Sequence, residues 1–358
     1  MKALVVIGTR PEAIKLVPVI WALLARGHDP IICLTGQHRE LLDGAMATFG
    51  IACDHDLAVM TEDQTPNDVL ALVVQGMCPV LKETDPDWVI VEGDTTSVIG
   101  TAMAAFHAMV PVCHVEAGLR SFDKWAPFPE EINRCLVSVL ADLHCAPTQE
   151  SAGNLLGEGV DESLIVVAGN TAVDAIRWAM TVDPREEFYS PSGGIVTITA
   201  HRRENHAHLP DIAKAVHLLA QAYPTVRFIW PLHPNPTVRK HVDISRHNID
   251  LIEPLDYVSM AHLIAKSRLV LTDSGGLQEE APSLGVPVLV LRDVTERPEG
   301  IDRRVARLVG TDTNNIFAEA SSVLDGTALW PRTDRDVYGD GHAGEKIVAA
   351  LEDRTRDE

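Results

Sequence analysis

Ionisable and glycine-rich clusters follow the ends of several short apolar runs in this sequence. Asp94 and Glu116 come just after two of these runs. Two carboxyl groups held near one another can have their pKa values pushed apart, which provides an acid and a base. The pattern therefore favours proton transfer, with Asp94 and Glu116 as the acid–base pair. An alternative role for Asp94 is a helix N-cap, since Thr95 and Thr96 open a helical stretch.

A second cluster, Asp273–Gly276, ends one apolar run and opens a helix. Glycines let a ligand approach the backbone closely, and a helix N-terminus offers free N–H groups to an anion. Ser274, Gly275 and Gly276 are therefore predicted to bind a diphosphate, although a plain helix cap has the same pattern. Glu280, inside that helix, could accept hydrogen bonds from two ribose hydroxyls or simply face solvent.

Positive groups are candidates for holding an anion. Arg10 is predicted to lie in the loop after the first strand and to reach a ligand, whereas Lys15 is either a ligand contact or a surface lysine. His201 begins the basic run His201–Arg203. The spacing of His201, His206 and His208 matches no common zinc site, so no metal is expected.

Strands that alternate with helices must position these side chains. The pattern predicts two doubly wound α/β domains, in which ligands bind beyond the carboxyl ends of the strands. The low-hydrophobicity stretch 182–194 predicts a linker. We therefore expect an N-terminal domain over 1–182, completed by a C-terminal helix over 343–358, and a second domain over 193–342. In such a two-domain protein the strand ends face each other across a cleft.

Composition excludes several other classes of protein. The 358 residues suit two domains, and the formal net charge is −21. Such an acidic chain argues against a nucleic-acid or membrane-surface partner, because both require a basic face. The six cysteines form no C-x-x-C pair, and no apolar run is long enough to span a membrane, so a cytoplasmic protein with reduced thiols is expected.

Eight motifs, in this order along the chain, carry a resemblance to a known family. They are Gly8–Glu12, Gly36–Arg39, Glu92–Thr95, His114–Arg120, Pro127–Arg134, His201–Asn205, Thr272–Ser283 and Thr295–Glu299. Together they resemble the non-hydrolysing UDP-N-acetylglucosamine 2-epimerases over nearly the whole chain. The resemblance implies an α/β fold of GT-B type and a homodimer. It also implies interconversion of UDP-GlcNAc and UDP-ManNAc through UDP elimination, a 2-acetamidoglucal intermediate and re-addition of UDP.

The resemblance also assigns roles to individual residues, and it implies no cofactor. The sugar-side carboxylates would be Asp94, Glu116 and Glu130, with the proton-abstracting member left open. The diphosphate would be bound by His201, Arg10 and the backbone of Ser274, Gly275 and Gly276, and the ribose by Glu280. Further binding positions are Lys15 and Arg297, and the uracil pocket would include Leu255 and Met260. A candidate accessory nucleotide site comprises Gln37, His38, Gln64 and His233.

Departures from the family pattern bear on regulation. Members activated by a second UDP-GlcNAc commonly have Arg where this chain has Asp63, and a carboxylate there repels a diphosphate. We therefore expect UDP-ManNAc to be turned over without added UDP-GlcNAc. Two other activities stay open at this point: a hydrolysing 2-epimerase that releases free ManNAc and UDP, and a glycosyltransferase-like nucleotide-sugar-binding protein.

Overall fold

The computed structural model describes residues 1–36, 39–61, 64–242, 244–329 and 334–355, without the side chains of residues 39–41 and 43. Contacts divide the chain into two units, Met1–Ala175 with Tyr338–Glu358, and Ile176–Val337. The first boundary lies within a helix. The stretch 182–194 that follows belongs to the second unit, in which His262 binds Val182 O and Glu186 N donates to Ser259.

The first unit contains a seven-stranded parallel sheet. Its strands are β1 (Lys2–Ile7), β2 (Asp29–Leu34), β3 (His55–Asp56), β4 (Trp88–Glu92), β5 (Val112–Val115), β6 (Leu143–Ala146) and β7 (Ile165–Val167). Its helices are α1 (Arg10–Ala25), α2 (Arg39–Phe49), α3 (Pro66–Thr84), α4 (Thr96–His107), α5 (Glu130–Leu140), α6 (Gln149–Gly157) and α7 (Thr171–Ala179), which crosses the boundary, together with α14 (Ala343–Thr355). The strand order is β3-β2-β1-β4-β5-β6-β7.

The chain's last helix, α14, packs on α1. Ile347, Val348 and Leu351 are fully buried in the same apolar cluster as the strands β1 and β4. Gly344 permits this close approach, since a Cβ there would lie 2.6 Å from the carbonyl oxygen of Pro18. The core on this face of the sheet therefore depends on the last helix of the chain.

The second unit repeats the architecture with a six-stranded parallel sheet in the order β10-β9-β8-β11-β12-β13. Its strands are β8 (Ile195–Thr199), β9 (Arg227–Pro231), β10 (Ile249–Ile252), β11 (Ser267–Thr272), β12 (Val288–Val290) and β13 (Ala306–Leu308). Its helices are α8 (Leu209–Ala222), α9 (Pro236–His241), α10 (Tyr257–Ala265), α11 (Gly275–Ser283), α12 (Pro298–Asp302) and α13 (Thr313–Leu324). A 3₁₀ turn, Arg203–His208, precedes α8.

In both sheets the strand order reverses at one point, between β1 and β4 and between β8 and β11. Ligands of doubly wound sheets bind outside the carboxyl ends of the strands at this reversal. Among the described residues no helix is both long and apolar enough to cross a membrane. A ligand is therefore expected to bind at the strand-order reversal of each sheet.

Candidate active site

Lys15 on α1 joins two carboxyl groups at the reversal of the first sheet. Its Nζ bonds to Glu116 Oε2 and lies 3.3 Å from Glu92 Oε1. Asn170 Nδ2 donates to the same Glu116 oxygen at 3.0 Å. Lys15 is buried, so the alternative of a surface lysine is wrong. These contacts fix the direction of the Glu116 carboxylate, whose residue also has a positive φ of 62°.

Asp94 has a different cation. Arg134 on α5 bonds to Asp94 Oδ2, and Asn133 Nδ2 donates to the Asp94 carbonyl at 2.9 Å. The N-cap of α4 is Thr95 rather than Asp94, so the capping alternative for Asp94 is wrong. Burial raises the pKa of Asp94 and the Glu116 carboxylate raises it further, whereas Arg134 opposes both. Asp94 and Glu116 therefore interact electrostatically while each contacts its own cation.

Arg10 and Glu12 belong to the first turn of α1. The helix begins at Arg10, with Thr9 as its N-cap, so the expectation that Arg10 lies in a loop was wrong. Glu12 is buried and accepts hydrogen bonds from Gly8 N at 2.5 Å and from Thr95 Oγ1 at 2.9 Å. Glu12 thus ties the start of α1 to the N-cap of α4, and both helices start at the sheet's reversal.

Glu130 is the first residue of α5 and is half-buried. Its neighbour Glu131 accepts the backbone N–H groups of Ser121 and Phe122, at 3.0 Å and 2.9 Å. The long loop between β5 and α5 is therefore fastened beside the start of the helix that carries Glu130.

His201 follows β8 in the second unit and stacks on His233, which follows β9. Their ring centroids are 5.1 Å apart and the rings lie within 12° of parallel. Asp273, after β11, accepts the backbone N–H of His201 at 2.8 Å. A predicted diphosphate contact and a predicted accessory-site residue thus lie side by side, where the strand order of this sheet reverses.

The N-terminus of α11 is shaped by Gly275. Ser274 is the N-cap and makes no side-chain cap hydrogen bond. A Cβ on Gly275 would lie 2.9 Å from the guanidinium carbon of Arg297. That guanidinium is buried and held by Glu279 at 2.5 Å and by Glu296 at 2.6 Å. The predicted anion-binding turn and Arg297 are therefore in direct contact.

Glu280 and two apolar residues complete the predicted set. Glu280 is buried and accepts a hydrogen bond from Tyr257 Oη at 3.1 Å, so the solvent-facing alternative is wrong. Leu255 and Met260 belong to one apolar cluster with Phe188 and Ile229. The structure thus places Leu255 together with Met260, as a shared pocket requires.

The accessory-site residues are placed only in part. Gln37 and His38, and also Asp63, lie outside the described residues. The Gln64 amide binds its own loop, donating to Val59 O and accepting from Thr61 N, each at 2.8 Å. In the part of the chain that the structure describes, no group of three or more His, Cys, Asp or Glu is arranged to hold a metal ion.

Comparison with known proteins decides the family. A sequence model described as UDP-N-acetylglucosamine 2-epimerase matches residues 22–352. The chain belongs to the UDP-N-acetylglucosamine 2-epimerase family. A Neisseria meningitidis UDP-N-acetylglucosamine 2-epimerase is 42% identical over 370 residues, covering 98% of this chain and 99% of that protein.

Solved structures of this epimerase family match the fold. The crystal structure of a UDP-GlcNAc 2-epimerase from Neisseria meningitidis bound to UDP-GlcNAc has a TM-score of 0.89 and 40% identity, covering 99% of this chain and 100% of that one. The S. aureus MnaA–UDP co-structure has a TM-score of 0.90 and 41% identity, covering 99% and 97%. The predicted α/β fold of GT-B type, with two doubly wound Rossmann-like units, is confirmed.

Sequence reasoning missed several partners that give this epimerase-family site its geometry. Asn170 binds Glu116, Arg134 binds Asp94, and Glu92 shares the Lys15 ammonium with Glu116. Asp273 binds the backbone of His201, and Tyr257 binds Glu280. Asn170 follows β7 and could have been found by its position after a strand end. Arg134 and Tyr257 lie within helices, where nothing in the sequence marks which face they occupy.

Proposed function

We propose that this chain interconverts UDP-GlcNAc and UDP-ManNAc by eliminating UDP and adding it back, without hydrolysis. One observation carries the proposal. Asp94 and Glu116, at the ends of the neighbouring strands β4 and β5, interact with each other yet contact separate cations, Arg134 and Lys15. Membership of the family, and the UDP-GlcNAc bound to the Neisseria structure, support the substrate.

The reaction requires carboxyl groups that act as base and acid near C2, and one site that binds the diphosphate anion. The C2 proton of the sugar is not acidic until UDP begins to leave C1 and positive charge builds there. A base then takes the C2 proton, the C1–O bond breaks and UDP departs with that electron pair, giving 2-acetamidoglucal. Protonation of C2 on the opposite face and return of UDP to C1 complete the inversion. Positioned acid–base groups near C2 and a preorganised cradle for the diphosphate lower both barriers.

The first unit is assigned the carboxyl groups that act on the sugar and one contact to the diphosphate. Asp94, Glu116 and Glu130 supply the carboxyl groups around C2, and Lys15 keeps Glu116 oriented. Arg10, in the first turn of α1, is assigned to the diphosphate.

The residues of the second unit are assigned to UDP. The N-terminus of α11, with Ser274, Gly275 and Gly276, binds the diphosphate together with His201, because free N–H groups and the helix dipole favour an anion. Arg297 supports that turn and Glu280 binds the ribose. Leu255 and Met260 line the uracil pocket.

Exchange in D₂O tests the reaction. Incubation with either UDP-N-acetylhexosamine should give a mixture of the two epimers with deuterium at C2, followed by ¹H NMR. Free ManNAc accumulating with UDP would instead favour the hydrolysing activity. Tight UDP-GlcNAc binding with no C2 exchange would favour a transferase-like binding protein. Asp94→Asn, Glu116→Gln and Glu130→Gln, compared for the rate at which solvent deuterium enters C2, identify the base.

We further propose that the enzyme is a cytoplasmic homodimer. Helices α4 and α5 pack together. These helices and the turn after α4 expose five apolar side chains, hereafter the α4–α5 face: Phe106, Met109, Ile132, Leu136 and Val139. A group of exposed apolar side chains on packed helices is typical of an interaction surface, and a second copy would cover it. Three buried cysteines, Cys33, Cys113 and Cys145, are free thiols, in keeping with a reducing compartment.

A further inference from the structure

The buried carboxyl group of Asp273 lies behind His201. Asp273 is 0% exposed, and its Oδ2 accepts the backbone N–H groups of His201 and Arg202 at 2.8 and 2.9 Å. Asn205 Nδ2 donates to the same oxygen at 3.1 Å. Since Asp273 follows β11 and His201 follows the neighbouring β8, this one oxygen fixes the loop that carries the imidazole.

The other oxygen of Asp273 faces the imidazole itself. Within the described residues Oδ1 has no hydrogen-bond partner, and it lies 3.7 Å from Nδ1 of His201. An unpaired buried carboxylate oxygen is costly, and a hydrogen bond would require an approach of about 1 Å. His201 is still 38% exposed, so its ring has room to make that movement. Nδ1–H is thus the donor that Oδ1 lacks.

The charge of His201 depends on groups from three neighbouring segments. Burial lowers the pKa of His201 most strongly, and the adjacent Arg202 and His206 on the 3₁₀ turn lower it too, while Asp273 raises it. The ring of His233 covers one face. The imidazole is therefore neutral at pH 7 before a ligand binds. An incoming diphosphate adds negative charge and favours the protonated form.

We propose that Asp273 is a positioning residue that holds His201 through Nδ1, so that the imidazole takes up a proton when the diphosphate binds. The step rests on the assignment of His201 to the diphosphate under the proposed function. The proton enters from solvent at Nε2. Nε2–H donates a hydrogen bond to the phosphate oxygen that gains charge as the C1–O bond breaks, and the imidazolium keeps this proton until UDP adds back.

The variant Asp273→Asn tests this role. Its amide oxygen can still accept the loop N–H groups, but it carries no charge to stabilise the imidazolium. We expect the proton affinity of His201 in the UDP-saturated enzyme, followed by NMR of the labelled imidazole, to fall at least about tenfold. The basic limb of the kcat profile should move to lower pH, and kcat at pH 7.5 should drop roughly 10²-fold. KM should change by less than about threefold, since the substrate contacts themselves remain.

A matched control is Asp312→Asn. Asp312 caps α13 by accepting two backbone N–H groups, from Asn314 and Asn315 at 3.0 and 2.9 Å. This variant should leave the His201 titration and kcat unchanged. An unaltered His201 titration in folded Asp273→Asn would overturn the proposal, because loop anchoring alone would then explain Asp273.

A measurement on the unsubstituted enzyme tests the proposal even if Asp273→Asn does not fold. With UDP bound at pH 7, ¹⁵N NMR should show both ring nitrogens of His201 protonated and a slowly exchanging Nδ1–H. An unprotonated Nδ1 would overturn the proposal. If these spectra are as expected but no deuterium enters C2 of the sugar, the reaction assignment fails while the Asp273–His201 pair stands.

Discussion

Lys15 and Glu116 form a buried ion pair between α1 and the end of β5, and the same ammonium lies 3.3 Å from Glu92 at the end of β4. One cation thus joins carboxyl groups from two neighbouring strands. Burial and the Glu116 carboxylate both raise the pKa of Glu92, whereas Lys15 lowers it. Removing the ammonium leaves two buried carboxyl groups without a cation that offsets their charge, which is far more costly than losing an exposed pair.

Lys15→Met should therefore damage both stability and catalysis. We expect a loss of about 3–5 kcal/mol in the free energy of unfolding, read from urea melts. Deuterium exchange at C2 should fall at least about 10²-fold, because the Glu116 carboxylate loses its orientation. Lys346→Met is the control, since Lys346 pairs with Asp340 on the surface. Equal losses in the two variants would contradict a special role for Lys15.

Substitution of Arg10 tests whether the site has its own positive charge although the chain as a whole has a net charge of −21. Arg10→Gln should weaken UDP binding roughly 10–10²-fold in calorimetry, because a charge-assisted contact to the diphosphate is lost. Arg239→Gln removes the same charge from an exposed pair with Glu253 and should change affinity less than about twofold. A similar loss in both would mean that the diphosphate responds to overall charge rather than to Arg10.

Gly275 and Gly276 offer a matched pair of substitutions at the start of α11. A Cβ at position 275 meets the Arg297 guanidinium at 2.9 Å, and Glu279 and Glu296 prevent that group from moving away. Gly275→Ala should lower the free energy of unfolding by about 1–3 kcal/mol. Nothing lies within 4 Å of a Cβ at position 276, so Gly276→Ala should be neutral or slightly stabilising without ligand. The reverse order in thermal melts would refute the packing argument.

Strand ends were the informative signal in the sequence, because parallel strands place their carboxyl ends at one edge of the sheet. That rule led to Asp94, Glu116, His201 and Gly275. The alternation of strands and helices was predictable in the same way, since long segments with periodic apolar residues, such as α4 and α8, indicate helices. The strand Leu143–Ala146 and the helices Glu130–Leu140 and Gln149–Gly157 were missed.

The missed elements have a physical reason. Helix α5 exposes the apolar residues Ile132, Leu136 and Val139. It buries the charged residues Glu131 and Arg134, which is the reverse of the pattern expected for an amphipathic helix at a protein surface. The Lys15–Glu92 ion pair and the Arg134–Asp94 ion pair were missed because an ion pair between distant segments depends on tertiary packing. Residue spacing carries no information about which buried carboxyl group a lysine on another element will reach.

The α4–α5 face gives a prediction about assembly. Val139 is 82% exposed and lies near the C-terminal end of α5, on the same outward apolar side as Leu136. Val139→Glu should convert the proposed dimer to a monomer in light scattering coupled to size exclusion, because a charge would be buried in an apolar interface. Val167→Glu, on a 37%-exposed residue of β7, is the control. A dimer that survives Val139→Glu would place the interface elsewhere.

Glu12 should make stability fall as pH rises. Burial raises the pKa of Glu12 from 4.5 to about 7, although hydrogen bonds from Gly8 and Thr95 oppose the rise. Between these two values the folded chain keeps a proton that the unfolded chain has released, so the contribution of Glu12 weakens through this window. We compare the free energies of unfolding of Glu12→Gln and the unsubstituted protein, read from urea melts. Between pH 4.5 and pH 8 their difference should change by about 3 kcal/mol in favour of the variant. Glu83→Gln, on an exposed face of α3, should show no such change. A constant difference between Glu12→Gln and the unsubstituted protein across that range would mean that Glu12 stays ionised in the fold.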